Sequence, residues 1–385
     1  MFNNISKNLG KVVGATVVFL GMMVSAPAWA VPVERDLYVT DSQSGNIFAI
    51  TPTKAITILV SEADILAATG ATTARFTDNG VYYDQANDKL YFTDSESDAV
   101  LVWDGATGIV SVVASAADIE AAVPGNDSAS PEHITLRDGM LYVTDPRSDT
   151  LLKIDAATGV VTVVTDEVTF EGVAPDGLDV DIESGIAVSP DGTKIYVAHD
   201  EDRSSDTAGA IYEVDLLTGT PTLLSDDSRF SDLDVFLTLA PNGDIIIAND
   251  AGSTGDQIFR VTPGGVVSGF LSELELEGLV GGDVNLEGGI IFDDFGNFYV
   301  AEENTDNIYR WLVDDFSAGT IDVSSGALFV SENDVASLFG LTGIDYEGGI
   351  TFGRASIQHD VPEPASMALL GFGLLGLGLA RRRRH

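Results

Sequence analysis

Cysteine is absent from the 385 residues, lysine and arginine together number 19 against 60 aspartates and glutamates, and histidine occurs four times. Without cysteine the chain has no disulfide framework. The shortage of basic side chains is sharper in the interior. Residues 1–30 hold Lys7 and Lys11, and residues 361–385 hold Arg381 to Arg384 against Glu363, so the 330 residues between keep 13 basic and 59 acidic groups, a net charge of −46. A polyanion of that strength repels phosphate backbones, which excludes nucleic-acid binding. Disorder does not follow from the charge, because 45% of the residues are apolar and the mean hydropathy is +0.18. Cys2His2 spacing, P-loop, dinucleotide fingerprint and nucleophile elbow are all missing, so covalent and phosphoryl chemistry lack an apparatus.

What is present begins with two unusual ends. Lys7 and Lys11, an apolar run from Val12 to Val24 and the small-x-small sequence Ala28-Trp29-Ala30 predict a signal peptide over 1–30, with the mature chain starting near Val31. An uncut N-terminal anchor is the alternative, disfavoured by the shortness of the run. At the other end, Val361-Pro362-Glu363-Pro364 precedes an apolar stretch, Ala365 to Ala380, and four arginines, Arg381, Arg382, Arg383 and Arg384. As a helix that stretch is about 24 Å long, a marginal transmembrane span whose arginines stay on the cytoplasmic side. The order of parts resembles the PEP-CTERM sorting tail of Gram-negative bacteria. The resemblance implies export, transient anchoring in the inner membrane, recognition by an exosortase, and delivery to the cell surface or an exopolysaccharide matrix. An ordinary C-terminal anchor is the plainer reading.

Between the ends, one unit recurs six times. Leu37-Tyr38-Val39-Thr40-Asp41 returns as Leu90 to Asp94, Leu141 to Asp145, Ile195 to His199, Ile245 to Asn249 and Phe298 to Glu302, at spacings of 53, 51, 54, 50 and 53 residues. Each copy follows a strand-like segment such as Gly289-Ile290-Ile291-Phe292 and a tight turn such as Pro190-Asp191-Gly192. A third strand, an Asp-x-x-Thr-Gly turn (Asp104 to Gly108, Asp155 to Gly159, Asp215 to Gly219) and a fourth strand come after it. Four antiparallel strands in each of six repeats predict an all-β, six-bladed propeller over 31–360, with 361–385 as the sorting tail. The N-terminal copy lacks a first strand and the C-terminal copy leaves one over, Gly349 to Gly353. Pairing it with Leu37 to Asp41 closes the ring and removes two exposed edges. An open six-repeat solenoid is the alternative, without complementary ends.

Ser-x-x-acid boxes at Ser61/Asp64, Ser115/Asp118, Ser272/Glu275 and Ser331/Asp334 predict short capped helices between blades. Trp103 and Trp311, in third strands, read as packing between blades rather than a sugar platform. The Tyr-x-Thr-Asp copies resemble YWTD repeats, and Gly185 to Ala198 resembles NHL repeats and the gluconolactonase-type lactonases.

Alternation of strand direction brings the residues entering each inner strand to the same rim as those leaving each second strand. Entering are Asp78, Glu132, Glu183, Asp234, Glu287 and Glu347; leaving are Asp41, Asp94, Asp145, His199, Asn249 and Glu302. Eleven of these twelve positions offer an oxygen ligand and the twelfth is histidine; crowded carboxylates repel, a divalent cation relieves them, and Ca²⁺, which takes six to eight oxygens, is the expected metal. The competing reading makes these acids strand-end residues that cap turns or keep the rim soluble. His133 and His199 occupy rim positions in neighbouring blades and are candidates for a pH-sensitive pair with Asp145 or Asp200. The expected function is a binding or structural role at the surface or matrix, with polysaccharide or a surface protein as partner and Ca²⁺ as support. The lactonase resemblance implies an alternative, a cation-dependent hydrolase of lactones or esters, with Glu287 or Glu347 as the family's glutamate and Asp234 as its aspartate. The family's asparagine falls on Ser184 here.

Overall fold

The computed structural model describes residues 33–126, 128–174, 180–199, 209–230, 233, 236–250 and 255–355. The chain divides into units 1–32 and 33–385, and the structure described belongs to the second. The expected signal peptide, Asp234, the expected span at 365–380 and the motif residues Pro362, Glu363, Pro364 and Arg381 to Arg384 lie outside the described residues. Among the described residues no helix is long and apolar enough to cross a membrane.

Six four-stranded antiparallel sheets make up the structure, each with consecutive strands in consecutive order except one. The exception is the first blade, where β1 (Arg35–Asp41), β2 (Asn46–Ile50) and β3 (Ile56–Val60) receive as innermost strand the last one in the chain, β24 (Ile350–Ala355). Leu37 pairs with Phe352, Tyr38 with Thr351 and Val39 with Ile350. The closure expected from the unmatched ends is therefore present, and the open-solenoid alternative is not. Blades 2 to 6 have as inner strands β4 (Val81–Asp84), β8 (Ile134–Arg137), β12 (Ile186–Val188), β16 (Leu237–Leu239) and β20 (Ile290–Phe292). Their second strands are β5 (Lys89–Asp94), β9 (Met140–Asp145), β13 (Lys194–His199), β17 (Ile245–Asn249) and β21 (Phe298–Glu302).

Second strands are buried along nearly their whole length because every blade is covered by a neighbour on each side, whereas inner strands such as β12, β16 and β20 are only partly buried where they line the central channel. Near-continuous apolar runs such as Ile245-Ile246-Ile247-Ala248 in β17, buried throughout, follow from that environment, whereas a sheet wet on one face would alternate. The core falls into six clusters, one between each pair of adjacent blades. Trp311 and Phe298 of blade 6 meet Phe236 and Ile258 of blade 5, and Tyr299 and Ile308 of blade 6 meet Leu37 and Phe48 of blade 1. The second of these interfaces exists only because the ring is closed. Trp103 packs between blades 1 and 2, as Trp311 does between 5 and 6.

All four Ser-x-x-acid boxes start helices: α1 (Glu62–Thr69), α2 (Ala116–Ala122), α4 (Glu273–Val280) and α5 (Glu332–Phe339). In each, the acid accepts the cap amide, as in Ser331 N to Asp334 Oδ2 at 3.1 Å. A further helix, α3 (Glu167–Glu171), is capped by Asp166, whose Oδ1 accepts the Thr169 amide at 3.0 Å; the cap is an aspartate with threonine at the third helical position, so the serine pattern does not find it.

Candidate functional site

Each inner strand runs away from one face of the ring and each second strand returns to it. The residues before inner strands and those ending second strands thus share one face, here the acid face. The other carries the Asp-x-x-Thr-Gly turns, in which Asp104 Oδ1 accepts the Ala106 and Thr107 amides at 3.1 and 3.0 Å and Gly108 takes φ 70°. Basic residues are scarce on the acid face: Arg75, Arg147 and Arg229 are the described ones in its connections.

The two sets of rim residues have different environments. Those leaving the second strands are enclosed and already bonded. Asp41 and Asp94 are fully buried; Asp41 Oδ1 accepts the Asp345 amide at 2.7 Å, and Asp94 Oδ1 accepts that of Arg75 at 2.8 Å. Asp145 accepts the Ser130 amide at 2.7 Å and Asn126 Nδ2 at 2.9 Å, and Glu302 accepts the Asn285 amide at 3.0 Å. His199 plays the same part with Nδ1, which receives the Asp181 amide at 2.9 Å. In blades 1, 3, 4 and 6 the donor is the residue two before the rim acid, so each clamp fixes the loop that presents that acid. The second oxygen turns back on the hairpin: Ser97 N reaches Asp94 Oδ2 at 3.1 Å and Thr305 N reaches Glu302 Oε2 at 3.0 Å. The acid-x-x-Ser/Thr spacing at 41/44, 94/97, 145/148 and 302/305 is the sequence signal for this role. Burial pushes Asp41 up to about 6 and raises Asp145. Asn249, also fully buried, ends β17 paired with Gln257.

The acids entering the inner strands are drawn together instead. Asp78 of blade 2 is pushed up to about 7, first by burial and then by the charges of Glu287, Glu347 and Glu183, which come from blades 6, 1 and 4. Its amide donates to the Glu347 carbonyl at 3.1 Å, and Thr77 Oγ1 donates to Glu347 Oε2 at 3.0 Å. Glu132 stands one residue nearer its strand than the others: its carbonyl takes the Gly80 amide at 3.0 Å where Asn79 takes that of Gly349 at 2.8 Å.

Three acids join the mouth that the repeat alignment does not single out, Glu303, Asp345 and Asp306. Carboxylate oxygens of Glu303, Asp345 and Glu347 lie within 4.8 Å of one another. Burial, with Glu287 as its carboxylate neighbour, pushes Glu303 up to about 9; burial and the charges of Asp345 and Glu332 take Asp306 to about 7. A signal existed: position 303 follows the strand end where blades 1 and 2 have Ser42 and Ser95, and Asp345 precedes Glu347 in an acid-x-acid pair. The donor set is carboxylate only, suited to a hard cation, and oxygens bound at about 2.3–2.6 Å on opposite sides of Ca²⁺ are separated by about 5 Å.

Below the mouth the inner strands touch backbone to backbone. A Cβ on Gly80 would lie 2.5 Å from Ile134 N, and one on Gly289 2.6 Å from Ile350 N. His133 and Phe236 stand where four blades have glycine and fill this neck with rings 4.7 Å apart at 80°. Complete burial drops His133 to about 4, so it is neutral at physiological pH. His199 packs its ring against Tyr212 at 6.2 Å. The two histidines occupy separate settings, and Asp200 is outside the described residues. Beneath the neck a cavity of about 410 Å³, lined by all six inner strands, opens toward the far face.

Comparison with known proteins agrees with both halves of this description. The model of the PEP-CTERM protein-sorting motif matches residues 360–384. Among solved structures, a chain of a nidogen/laminin complex matches at a TM-score of 0.54 with 13% identity, over 83% of this chain and 99% of that one. Streptogramin B lyase matches at 0.48 with 12% identity over 79% and 86%, and a calcium-binding regucalcin from Agrobacterium tumefaciens str. C58 at 0.41 with 16% over 60% and 69%. At 13% identity the likeness to the nidogen/laminin chain is one of fold. No curated protein gives a significant sequence match. The chain is thus a six-bladed β-propeller carrying a C-terminal PEP-CTERM sorting motif, which marks it as secreted and surface-directed and implies processing by an exosortase.

Proposed function

We propose that this chain is a binding or structural disc of a Gram-negative cell surface or matrix, with a divalent cation, Ca²⁺ by fit, held at the acid mouth. In this reading residues 1–30 are removed on export, residues 361–385 tether the propeller of 31–360 to the inner membrane until the exosortase acts, and the released disc engages polysaccharide or a surface protein. The observation that carries the cation is the convergence of Glu303, Asp345 and Glu347 within 4.8 Å, with Asp78, Glu183 and Glu287 in electrostatic range. Asp41, Asp94, Asp145 and Glu302 serve this site by holding the loops that carry the ligands, and Asn249 ends β17 at the same rim. Bound Ca²⁺ satisfies the charges the fold brings together and leaves coordination positions for a partner's carboxylates or hydroxyls.

Thermal unfolding in Ca²⁺ and in EDTA tests the cation. At a concentration of 100 times Kd, a site confined to the native state adds about 2.7 kcal/mol, a midpoint rise on the order of 5 °C. Glu303→Gln and Glu347→Gln should erase the rise; equal midpoints for the wild type in both conditions would remove the site. The hydrolase reading is less well supported. Ser184, at the lactonase asparagine position, is fully buried and donates its hydroxyl to the Leu233 carbonyl, so it presents no ligand to the mouth. Lactone turnover by the metal-loaded wild type, lost in a folded Glu287→Gln variant, would restore that reading.

A further inference from the structure

On the face opposite the acids, a cleft of about 270 Å³ lies between blades 6 and 1. Its walls are aromatic. The Tyr299 ring meets Phe329 at 5.3 Å and Phe352 at 5.2 Å, both edge to face, while Phe295, 40% exposed, stands at the entrance. Into these rings comes positive charge: the Arg310 guanidinium lies 5.5 Å from the centre of the Phe329 ring, and the Lys54 ammonium lies at the same distance from it.

Arg310 is in no ion pair among the described residues, although 59 acids share the interior sequence with 13 bases. The other guanidinium of the cleft, Arg35, is held by Asp294 at 2.8 Å. Asp293 also lines the cleft, but its carboxylate is held by its own turn, Phe295 N donating to Oδ1 at 2.9 Å, Asn297 N to Oδ1 at 2.8 Å and Asn297 Nδ2 to Oδ2 at 2.8 Å, and by the Tyr299 hydroxyl, which donates to Oδ2 at 3.4 Å. Glu34 is on the exposed rim. A guanidinium set over the Phe329 face and hydrogen-bonded to Tyr299, with no carboxylate paired to it among the described residues, keeps donors for an anion, and it offers a planar fork matched to carboxylate geometry. The volume is slightly under the range of roughly 300–1,000 Å³ usual for small-molecule sites, which limits the occupant to one ring rather than an oligomer.

We propose that the cleft binds a carboxylate borne on a single six-membered ring, the ring against Phe295 and Phe352 and the carboxylate on Arg310. An aryl carboxylate and a uronic acid share that chemistry. The site is independent of the cation, being built from other residues on the other face.

Isothermal titration of the full chain in EDTA, near physiological salt, with benzoate and with glucuronate as probes, tests it. Benzamide and methyl glucoside serve as neutral counterparts. One of the two carboxylates should bind, identifying the source, and its neutral counterpart should bind at least tenfold more weakly. Arg310→Gln should lose at least tenfold in affinity while still unfolding cooperatively, and Phe295→Ala, at an exposed position, severalfold. Arg229→Gln, on the acid face, should bind as the wild type does. Absence of binding by both carboxylates, equal binding of the neutral counterpart, or undiminished binding by folded Arg310→Gln and Phe295→Ala variants would overturn the assignment.

Discussion

Replacing Asp78 by asparagine should stabilise the metal-free protein, and only above a definite pH. Asp78 takes φ 54°, a left-handed conformation that asparagine adopts as readily as aspartate, and its amide bond to the Glu347 carbonyl does not involve the side chain. The substitution thus removes a charge without changing the backbone. In the native state burial and the three neighbouring acids raise the carboxyl to about 7 from an ordinary value of 3.8. Between those values the native protein holds a proton that the unfolded chain has released, so stability falls as pH rises. The penalty is absent below about pH 4 and complete above about pH 7. Three units at 1.36 kcal/mol each set a ceiling of about 4 kcal/mol, and relaxation with water entry at the mouth reduces the expected gain to about 1–3 kcal/mol. Urea unfolding in EDTA at pH 4 and pH 8 reads the difference directly. The variant and wild type should coincide at pH 4 and separate at pH 8 with the variant more stable. Parallel curves at both pH values, or a less stable variant at pH 8, would refute the claim that the mouth is under electrostatic strain.

Four other outcomes follow from particular contacts. Gly80→Ala should cost about 3 kcal/mol, seen as a lower urea midpoint, because the new Cβ would meet the backbone of the adjacent strand at Ile134 N. Arg354→Ala should loosen the closing strand: it removes a bidentate pair with Asp88 at 2.6 and 2.7 Å and a stack on Trp103 at 5.1 Å, costing about 1–2 kcal/mol and speeding amide exchange in β24 ahead of the other inner strands. Ser331→Ala should cost about 1 kcal/mol in thermal or chemical unfolding by uncapping α5, whose Val335 and Ala336 are buried between blades. Raising salt to about 1 M, where the Debye length is about 3 Å, should stabilise the chelated protein by screening its net charge; equal stability at low and high salt would show that the surplus of acids carries no net repulsive cost in the fold.

The sequence by itself determined the architecture. Repeats at 50 to 54 residues fix six blades because each unit has too little core of its own and must cover a neighbour, and the odd strand at each end has only the other as its complement. Local chemistry was legible for the same reason: Ser61 with Asp64, or Asp104 with Thr107 and Gly108, act over three or four residues, a range the chain order records. Tertiary structure alone decided which acids face one another. Asp41 and Glu347 read alike in the sequence, yet one closes on a neighbouring amide and the other opens on the axis, since that depends on which loop the closed ring lays against each strand end. Glu303 meets Asp345 and Glu347, and Tyr299 meets Phe352, across sequence distances that no periodicity encodes. Such encounters are products of the blade angle and the neck glycines, so they emerge only when all six sheets are packed.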